Sequence, residues 1–296
     1  MLVSIITTFY YGTEYLPALL KSIQENAVRC KRHGIDIEHI IVNDSPDIKF
    51  TIEDRDSFKV RIYDNERNMG IHASRITGVG MAKGKYIIFL DQDDTLAPGA
   101  VLSHMAVMHR RDGRLPAVSV GNGYWVDKKT RHRETIYKNI WYHGLCNRMD
   151  TVICYGTIII SPGQCMIRKS AIPNEWLSYP VKQSGSDDEL LWLTMLARGC
   201  FFAVNKRYIY NHLTTGENTS DDVGRIADSS LEGIKLLKKC PGFTHRQLRL
   251  FYRRRKMKKE RYQKSMPQKM WVNFKNPDLS LYIIGVKLLK SVPWRR

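Results

Sequence analysis

The chain has 296 residues, of which 43% are hydrophobic, and a formal net charge of +18. It can bury a full core, and no apolar run approaches the roughly 20 residues that a membrane-spanning helix needs. Six scattered cysteines without a CxxC pair argue against a disulfide framework or a zinc site. Strand-like sequence from Val3 leaves no space for a signal peptide, so we expect a cytoplasmic protein.

The positive charge is concentrated at the end of the chain. Residues 241–296 contain 16 Lys+Arg and 2 Asp+Glu, a net charge of +14, which leaves only +4 for residues 1–240. A polycation of this kind attracts a polyanion, either a nucleic acid or an anionic membrane surface. The composition therefore predicts a near-neutral globular body and a polycationic C-terminal tail.

Apolar runs and helical patterns alternate in the first hundred residues. Short β-prone runs at 3–10, 37–42, 60–63 and 86–90 predict four strands. A helical pattern begins at Leu16, and another helix is predicted over 71–83. This alternation predicts an α/β fold with a mainly parallel sheet and helices on both faces.

Acidic residues follow two of these strands. Asp44 comes after the second strand, and Asp91, Asp93 and Asp94 come directly after the fourth. Ligands bind at the carboxyl ends of such strands, and a divalent cation would relieve the repulsion among three adjacent carboxylates. The alternatives are ordinary turns: Asp44 could initiate a turn before Ser45, and the acidic cluster could be a solvated turn. We expect Asp94 to cap the following helix.

The second half is less regular. Residues 151–161 are β-prone and predict a strand, and residues 165–168 predict another after Pro162 breaks the run. A helix is predicted after Ser186 or Asp187 as N-cap, with Asp187, Asp188 and Glu189 in its first turn. One cap needs one side chain, so the three acids also suggest a functional role.

Five motifs occur together in this order: VSII at 3–6, VNDS at 42–45, NMGIHASR at 68–75, GKYIIFLDQDD at 84–94 and DDELLWL at 187–193. In order and spacing they resemble family 2 glycosyltransferases of the GT-A fold, the nucleotide-sugar-dependent enzymes that build bacterial surface polysaccharides. The resemblance covers about residues 2–220. It implies a catalytic domain at 1–220, with a nucleotide-binding half at 1–100 and an acceptor half at 101–220, followed by a basic helical extension at 221–296. The sequence departs from the family pattern at residues 8–11 and has Asp187-Asp188 where the family has Glu-Asp.

The resemblance implies roles for individual residues. Asp188 corresponds to the catalytic base, and Asp93 to a ligand of Mn²⁺ or Mg²⁺, with His212 as a second metal candidate or a structural histidine. The implied donor-binding residues are Thr8, Tyr10, Asp44, Asn68, Arg75, Asp91 and Gln92. The candidates for the acceptor side are Asp187, Gln164 and Arg168, although Gln164 and Arg168 could equally be packing residues.

The implied reaction is a single in-line displacement with inversion at the anomeric carbon. A UDP-sugar is the default donor, and the acceptor is a hydroxyl of a glycan or a lipid-linked molecule. One rival interpretation is a sugar nucleotidyltransferase, but this sequence does not show the Gly-rich phosphate-binding loop that such an enzyme needs. The other is a non-catalytic or nucleic-acid-binding protein. We expect no nucleic-acid binding, because no such motif is visible.

The basic extension mixes cations with apolar and aromatic residues. The run 281–289 is too short to span a bilayer but suits a helix that lies in the membrane interface, with Trp271 and Trp294 at headgroup level. Residues 241–296 therefore predict peripheral association with the anionic inner face of the cell membrane. The alternative is a solvated helical face that packs on the catalytic domain.

Overall fold

The computed structural model describes residues 1–53, 57–110, 113–183, 185–216 and 222–292. The chain divides into two units that interleave along the sequence. Unit 1 comprises Met1–Ile136, Ile159–Ile172 and Phe201–Thr215, and unit 2 comprises Tyr137–Ile158, Pro173–Cys200 and Gly216–Arg296. The predicted division into a catalytic domain at 1–220 and a tail at 221–296 stays a prediction.

Unit 1 is built on one mixed sheet. The described residues of this unit form nine strands: β1 (Leu2–Phe9), β2 (Asp36–Asn43), β3 (Phe58–Asp64), β4 (Tyr86–Phe89), β5 (Thr95–Leu96), β6 (Val118–Asp127), β7 (Arg133–Thr135), β8 (Cys165–Arg168) and β9 (Phe202–Thr214). Their order in the sheet is β3-β2-β1-β4-β8-β6-β9-β5, with β7 paired to β6. The α/β fold class predicted from the sequence is confirmed.

The first four strands are parallel, as predicted. β1 pairs with β2 and β4, and β2 pairs with β3. Nearly every residue of β1, β2 and β4 is buried, which indicates that both faces of these strands are covered. β8 then pairs antiparallel with β4, so the remainder of the sheet is mixed rather than parallel.

Three helices belong to unit 1: α1 (Leu16–Lys31), α2 (Ile71–Met81) and α3 (Ala100–Met108). The apolar residues that predicted α1 are its buried stripe, Leu16, Leu19, Leu20 and Ile23. Before α2, Gly70 has a φ of 83°, in the region that favours glycine. This glycine lets the chain turn sharply from the loop after β3 into α2.

Unit 2 is helical in its described residues: α4 (Ile140–Gly144), α5 (Met149–Cys154), α6 (Asn174–Ser178), α7 (Asp187–Ala197), α8 (Val223–Glu232), α9 (Ile234–Leu237), α10 (His245–Arg261), α11 (Met266–Phe274) and α12 (Pro277–Ser291). The prediction of a strand over 151–161 is wrong. Thr151, Val152 and Ile153 are buried in α5, because helix packing overrides their β-propensity.

The helical extension is confirmed by α10, α11 and α12, although α10 is more deeply packed than its composition suggests. Phe251, Arg255 and Met257 of α10 are buried. Trp294, which the sequence places at headgroup level, lies outside the described residues. Among the described residues, no helix is long and apolar enough to cross a membrane.

Candidate active site

The acidic turn after β4 is joined to α2 by an ion pair. Asp91 follows the buried end of β4, and its Oδ1 lies 2.6 Å from Nη2 of Arg75. Its Oδ2 accepts a hydrogen bond of 3.1 Å from the hydroxyl of Ser161. Because Arg75 is itself buried, its guanidinium is fixed beside the carboxyl ends of the parallel strands, where an Arg suits phosphate oxygens.

Asp94 does not cap a helix, so this prediction is wrong. α3 begins only at Ala100, with Gly99 as N-cap. Asp94 is fully buried and accepts hydrogen bonds from the Tyr210 hydroxyl and from the backbone N–H of Leu213. The reason is the antiparallel pairing of β5 with β9, which brings the end of the acidic turn against the end of β9.

His212 completes this buried network. Its Nδ1 lies 3.1 Å from Asp94 Oδ1 and 3.1 Å from the Tyr210 hydroxyl. The ring packs edge-on to Trp125, with centroids 4.8 Å apart. Asp94 therefore fixes the orientation of the imidazole, and none of its described hydrogen bonds uses Nε2.

The charges around Asp91, Asp93 and Asp94 favour a bound cation. Burial and the carboxylates of Asp94 and Asp91 raise the pKa of Asp93 to about 7. Burial alone would lower the pKa of His212, but Asp94, Asp93 and Asp91 outweigh it and raise that pKa to about 9. Both shifts mean that the site favours added positive charge, either a proton or a metal ion.

A divalent cation fits this donor set only with ligands from elsewhere. Among the described residues, no group of three or more His, Cys, Asp or Glu side chains could enclose a metal ion. The Asp93 carboxylate suits Mn²⁺ or Mg²⁺, which commonly complete their shell with phosphate oxygens and water, and the Nε2 atom of His212 suits Mn²⁺ better than Mg²⁺. The carboxylate behind the histidine is typical of metal-binding histidines.

Asp44 organises the loop that precedes α2. Its carboxylate accepts hydrogen bonds from the Asn65 side chain at 2.8 Å and from the backbone N–H groups of Met69 and Gly70 at 2.7 and 2.9 Å. Asp44 is 4% exposed. The carboxylate thus fixes the loop that contains Asn68 and leads to Arg75, and a contact with a nucleoside base stays a prediction.

The ends of β1 and β4 are joined by a side-chain amide. Gln92 accepts from the backbone N–H of Tyr10 at 2.8 Å and donates to its carbonyl at 2.9 Å. A Cβ at position 12 would lie 2.2 Å from this amide, so Gly12 is required for the contact. The Tyr10 ring is 51% exposed and Thr8 is half-buried near the end of β1. Gln92 therefore positions the backbone of Tyr10, whereas the predicted donor contacts of Gln92, Tyr10 and Thr8 remain untested.

Two residues predicted on the acceptor side make packing contacts, and their acceptor role stays a prediction. Gln164 is fully buried, accepts from the Ile160 N–H at 2.8 Å and donates to the Gly121 carbonyl at 2.9 Å. Arg168 pairs with Tyr86, the first residue of β4, because β8 runs antiparallel to β4. This register places Arg168 at the opposite end of β4 from the acidic turn. The sequence could not show this, because it does not give the direction of β8.

Asp187 and Asp188 begin α7 in unit 2, with Ser186 as the N-cap residue. The Ser186 side chain bonds to the Ser229 hydroxyl rather than capping the helix. Asp187 is buried, whereas Asp188 is partly exposed and accepts from the Glu189 N–H at 2.7 Å. The catalytic role of Asp188 and the acceptor role of Asp187 stay predictions.

The sequence does not predict the contacts of the Ser161 and Tyr210 hydroxyls or of the Asp94 carboxylate in this site. Ser161 bonds to Asp91, and Tyr210 bonds to Asp94, across 70 and 116 residues of chain respectively. No local motif marks Ser161 or Tyr210, and the local sequence around Asp94 predicts a helix cap. Only the pairing of β9 with β5 reveals that Tyr210 and His212, two residues apart on one strand, share a side.

A sequence model described as glycosyl transferase family 2 matches residues 4–175, more than half of the chain. The chain belongs to this family. Residues 4–175 contain Asp44, Arg75 and the acidic turn, so the match includes most of the site in unit 1. His212 and Asp188 lie outside the matched residues.

Curated relatives of this family 2 chain match over about a third of its length. An uncharacterized glycosyltransferase of Haemophilus influenzae is 34% identical over 97 residues, which are 33% of this chain and 31% of the relative. A teichoic acid poly(glycerol phosphate) polymerase of Staphylococcus epidermidis is 30% identical over 39% of this chain and 16% of its own length. A cholesterol galactosyltransferase of Borreliella burgdorferi is 32% identical over 32% of this chain and 25% of its own length. The matched segments thus span no more than about a third of these relatives.

Solved structures share the fold over nearly the whole family 2 chain. S. aureus TarS 1–349 in complex with UDP-GlcNAc has a TM-score of 0.60 and 12% sequence identity, and the alignment covers 96% of this chain and 80% of TarS 1–349. The TarS 1–349 structure described without a ligand has a TM-score of 0.59 and 14% identity over 97% and 80%. At these identities the similarity shows a common fold, not a common substrate.

Proposed function

We propose that the chain is a metal-dependent, inverting glycosyltransferase that moves a sugar from a nucleoside diphosphate, with UDP as the default nucleotide, to a hydroxyl of a glycan or lipid-linked acceptor. One observation carries the proposal: Arg75, Asp91, Asp93 and the Asp94–His212 pair meet at the carboxyl ends of parallel strands. Membership in glycosyl transferase family 2 and the UDP-GlcNAc complex of TarS support it.

The residues of unit 1 would bind the donor. Arg75, already fixed by Asp91, would donate to the diphosphate, while Asp91 would accept from a ribose hydroxyl. Asp93 and Nε2 of His212 would hold Mn²⁺ or Mg²⁺. When bound, the cation neutralises charge that develops on the departing diphosphate. Asp44 would hold the loop before α2 in place and would contact the nucleoside base.

Asp188 would supply the general base. The acceptor hydroxyl must lose a proton as it attacks, and a partly exposed carboxylate can accept it. In a single displacement the nucleophile attacks the anomeric carbon opposite the leaving group, so the configuration inverts without a covalent enzyme intermediate. The name of the Staphylococcus epidermidis relative suggests that the reaction belongs to the synthesis of teichoic acid or a related polymer.

Donor hydrolysis tests the proposed function directly. Incubation of the chain with a panel of nucleotide sugars and Mn²⁺ is expected to release the nucleoside diphosphate, and EDTA is expected to suppress that release. The reason is that the carboxylates of the acidic turn repel the diphosphate unless a cation lies between them. The Asp93→Asn variant should lose most of the release at subsaturating Mn²⁺. Release that is indifferent to EDTA would contradict the metal dependence, and release of pyrophosphate from a nucleoside triphosphate would indicate a nucleotidyltransferase.

Asp94→Asn tests whether the buried carboxylate positions His212. Asparagine keeps the size of the side chain but lacks the carboxylate charge that orients the imidazole and makes it more basic, and loss of such a supporting carboxylate weakens metal binding by about 10–100-fold. Calorimetric titration with Mn²⁺ in the presence of UDP measures the change, and circular dichroism checks the fold. Asp127→Asn, at the end of β6 in unit 1, where the partly exposed carboxylate accepts from the Thr130 N–H, is the control that should leave the affinity unchanged. Equal Mn²⁺ affinities for Asp94→Asn and wild type would show that His212 is positioned by other contacts.

A further inference from the structure

Helices α11 and α12 carry apolar stripes that are largely exposed. On α11, Met266, Met270 and Phe274 recur at intervals of four residues and are 66–75% exposed. On α12, Leu281, Ile284 and Leu288 recur at intervals of three and four residues and are 52–70% exposed. These spacings place each set of three on one side of its helix.

The exposed stripes are not needed to fold the helices. α12 has a second stripe, Leu279, Ile283 and Val286, which is buried. Leu279 and Ile283 belong to a core cluster with Val272 of α11 and Met257 of α10. α12 is therefore apolar on two sides although only one side is used internally, a pattern typical of a helix that contacts a second apolar phase.

The charge around the stripes is strongly positive. Residues 262–292 contain five lysines and one carboxylate, Asp278, and that carboxylate is paired with Arg253 at 2.9 Å. The ammonium group of Lys275 lies 5.2 Å from the Trp271 ring centre, and this ring is 59% exposed. Lys287 and Lys290 are exposed on α12. Exposed aromatic and aliphatic groups among lysines complement a surface that combines acyl chains with anionic headgroups.

We infer that α11 and α12 dock on an anionic phospholipid membrane through a lipid-docking surface formed by Met266, Met270, Phe274, Leu281, Ile284 and Leu288. The 15 residues of α12 measure about 22 Å, less than the roughly 30 Å of a hydrocarbon core. The helices would lie along the interface, with their lysines at the phosphate groups. The structure thereby assigns membrane contact to these two helices rather than to the whole basic extension.

Three cations of α10 already form ion pairs within unit 2, which supports this assignment. Arg255 is buried against Glu189, Lys259 pairs with Asp228 at 2.6 Å, and Arg253 pairs with Asp278. Deleting residues 241–296 would therefore also remove buried Phe251 and Met257 from unit 2. A test of membrane binding needs surface substitutions in the full chain.

Co-sedimentation with vesicles tests the inference, which does not depend on the proposed activity. The full chain is expected to bind vesicles of phosphatidylcholine with phosphatidylglycerol more tightly than vesicles of phosphatidylcholine alone. The triple variant Phe274→Ser/Leu281→Ser/Leu288→Ser should bind the anionic vesicles at least about tenfold more weakly. A matched triple variant of exposed apolar residues in unit 1, Val28→Ser/Met81→Ser/Leu115→Ser, should bind like wild type.

A second triple variant tests how much the lysines contribute to membrane binding. Lys275→Glu/Lys287→Glu/Lys290→Glu should weaken binding to anionic vesicles and reduce its sensitivity to salt. Equal vesicle binding by wild type and the serine triple variant would overturn the inference. A dimer that ultracentrifugation detects without lipid, and that the serine variant abolishes, would instead make the surface an interface between two copies. Binding of duplex DNA with the same sensitivity to both variants would assign it to a nucleic acid.

Discussion

Replacing Asp188 by asparagine is expected to slow sugar transfer by about 10²–10⁴-fold, the usual contribution of a general base. Asparagine is nearly isosteric with aspartate but cannot take the proton that the acceptor hydroxyl must lose. Asp188 lies in unit 2, whereas the proposed donor-binding residues lie in unit 1, so donor affinity should stay within about twofold of wild type. Single-turnover release of the nucleoside diphosphate measures the chemical step, and calorimetry with UDP and Mn²⁺ measures donor binding.

The control must separate catalysis from the contribution of an acid to a helix N-terminus. Asp150 is an exposed acid in the first turn of α5, also in unit 2. Asp150→Asn and Asp188→Asn should each cost about 0.3–1 kcal/mol through the helix dipole, whereas only Asp188→Asn should lose transfer. If Asp188→Asn retains substantial transfer, or if both variants lose it equally, Asp188 is a helix-stabilising residue and not the base.

The part of the site that sequence could predict follows from strand geometry. An apolar run that ends in DQDD, after three earlier strands and two helices, predicts that Asp44 and Asp91 follow parallel strands, and the register of β1, β2 and β4 bears this out. Parallel strands joined by helices carry a strong local periodicity, and their carboxyl ends necessarily lie at one edge. Local patterns therefore sufficed for this half of the fold.

Residues that depend on distant partners could not be predicted in the same way. Asp94 resembles a helix cap until β9 brings Tyr210 and His212 against it. Residues 151–154 resemble a strand, yet the carbonyls of Val152 and Ile153 accept hydrogen bonds from a guanidinium a hundred residues later. In each case a contact made by tertiary packing outweighs a local propensity of well under 1 kcal/mol per residue.

Arg255→Met is expected to lower the free energy of unfolding of unit 2 by about 3–5 kcal/mol, since it leaves a buried carboxylate without its partner. Arg255 and Glu189 are 3% and 10% exposed, and two guanidinium nitrogens contact the carboxylate at 2.6 and 3.2 Å. The same guanidinium satisfies the carbonyls of Val152 and Ile153, so it links α10 to α7 and α5. Urea unfolding measured by circular dichroism gives the loss. Arg253→Met on the same helix, which breaks an exposed pair with Asp278, should cost less than about 1 kcal/mol.

A double-mutant cycle distinguishes this pair from general loss of packing. Glu189→Met should also destabilise the unit, but Glu189→Met/Arg255→Met should cost less than the sum of the single changes, because it leaves neither charge unpaired. Burial would raise the pKa of Glu189, yet Arg255 and Lys258 outweigh it and hold that pKa below its usual value. The stabilisation is therefore present above the unfolded pKa of about 4.3 and is lost as the pH falls through the folded pKa. Strict additivity of the two single changes would mean that Arg255 acts through its carbonyl contacts alone. A cost of Arg255→Met no greater than that of Arg253→Met would mean that the buried pair contributes little to stability.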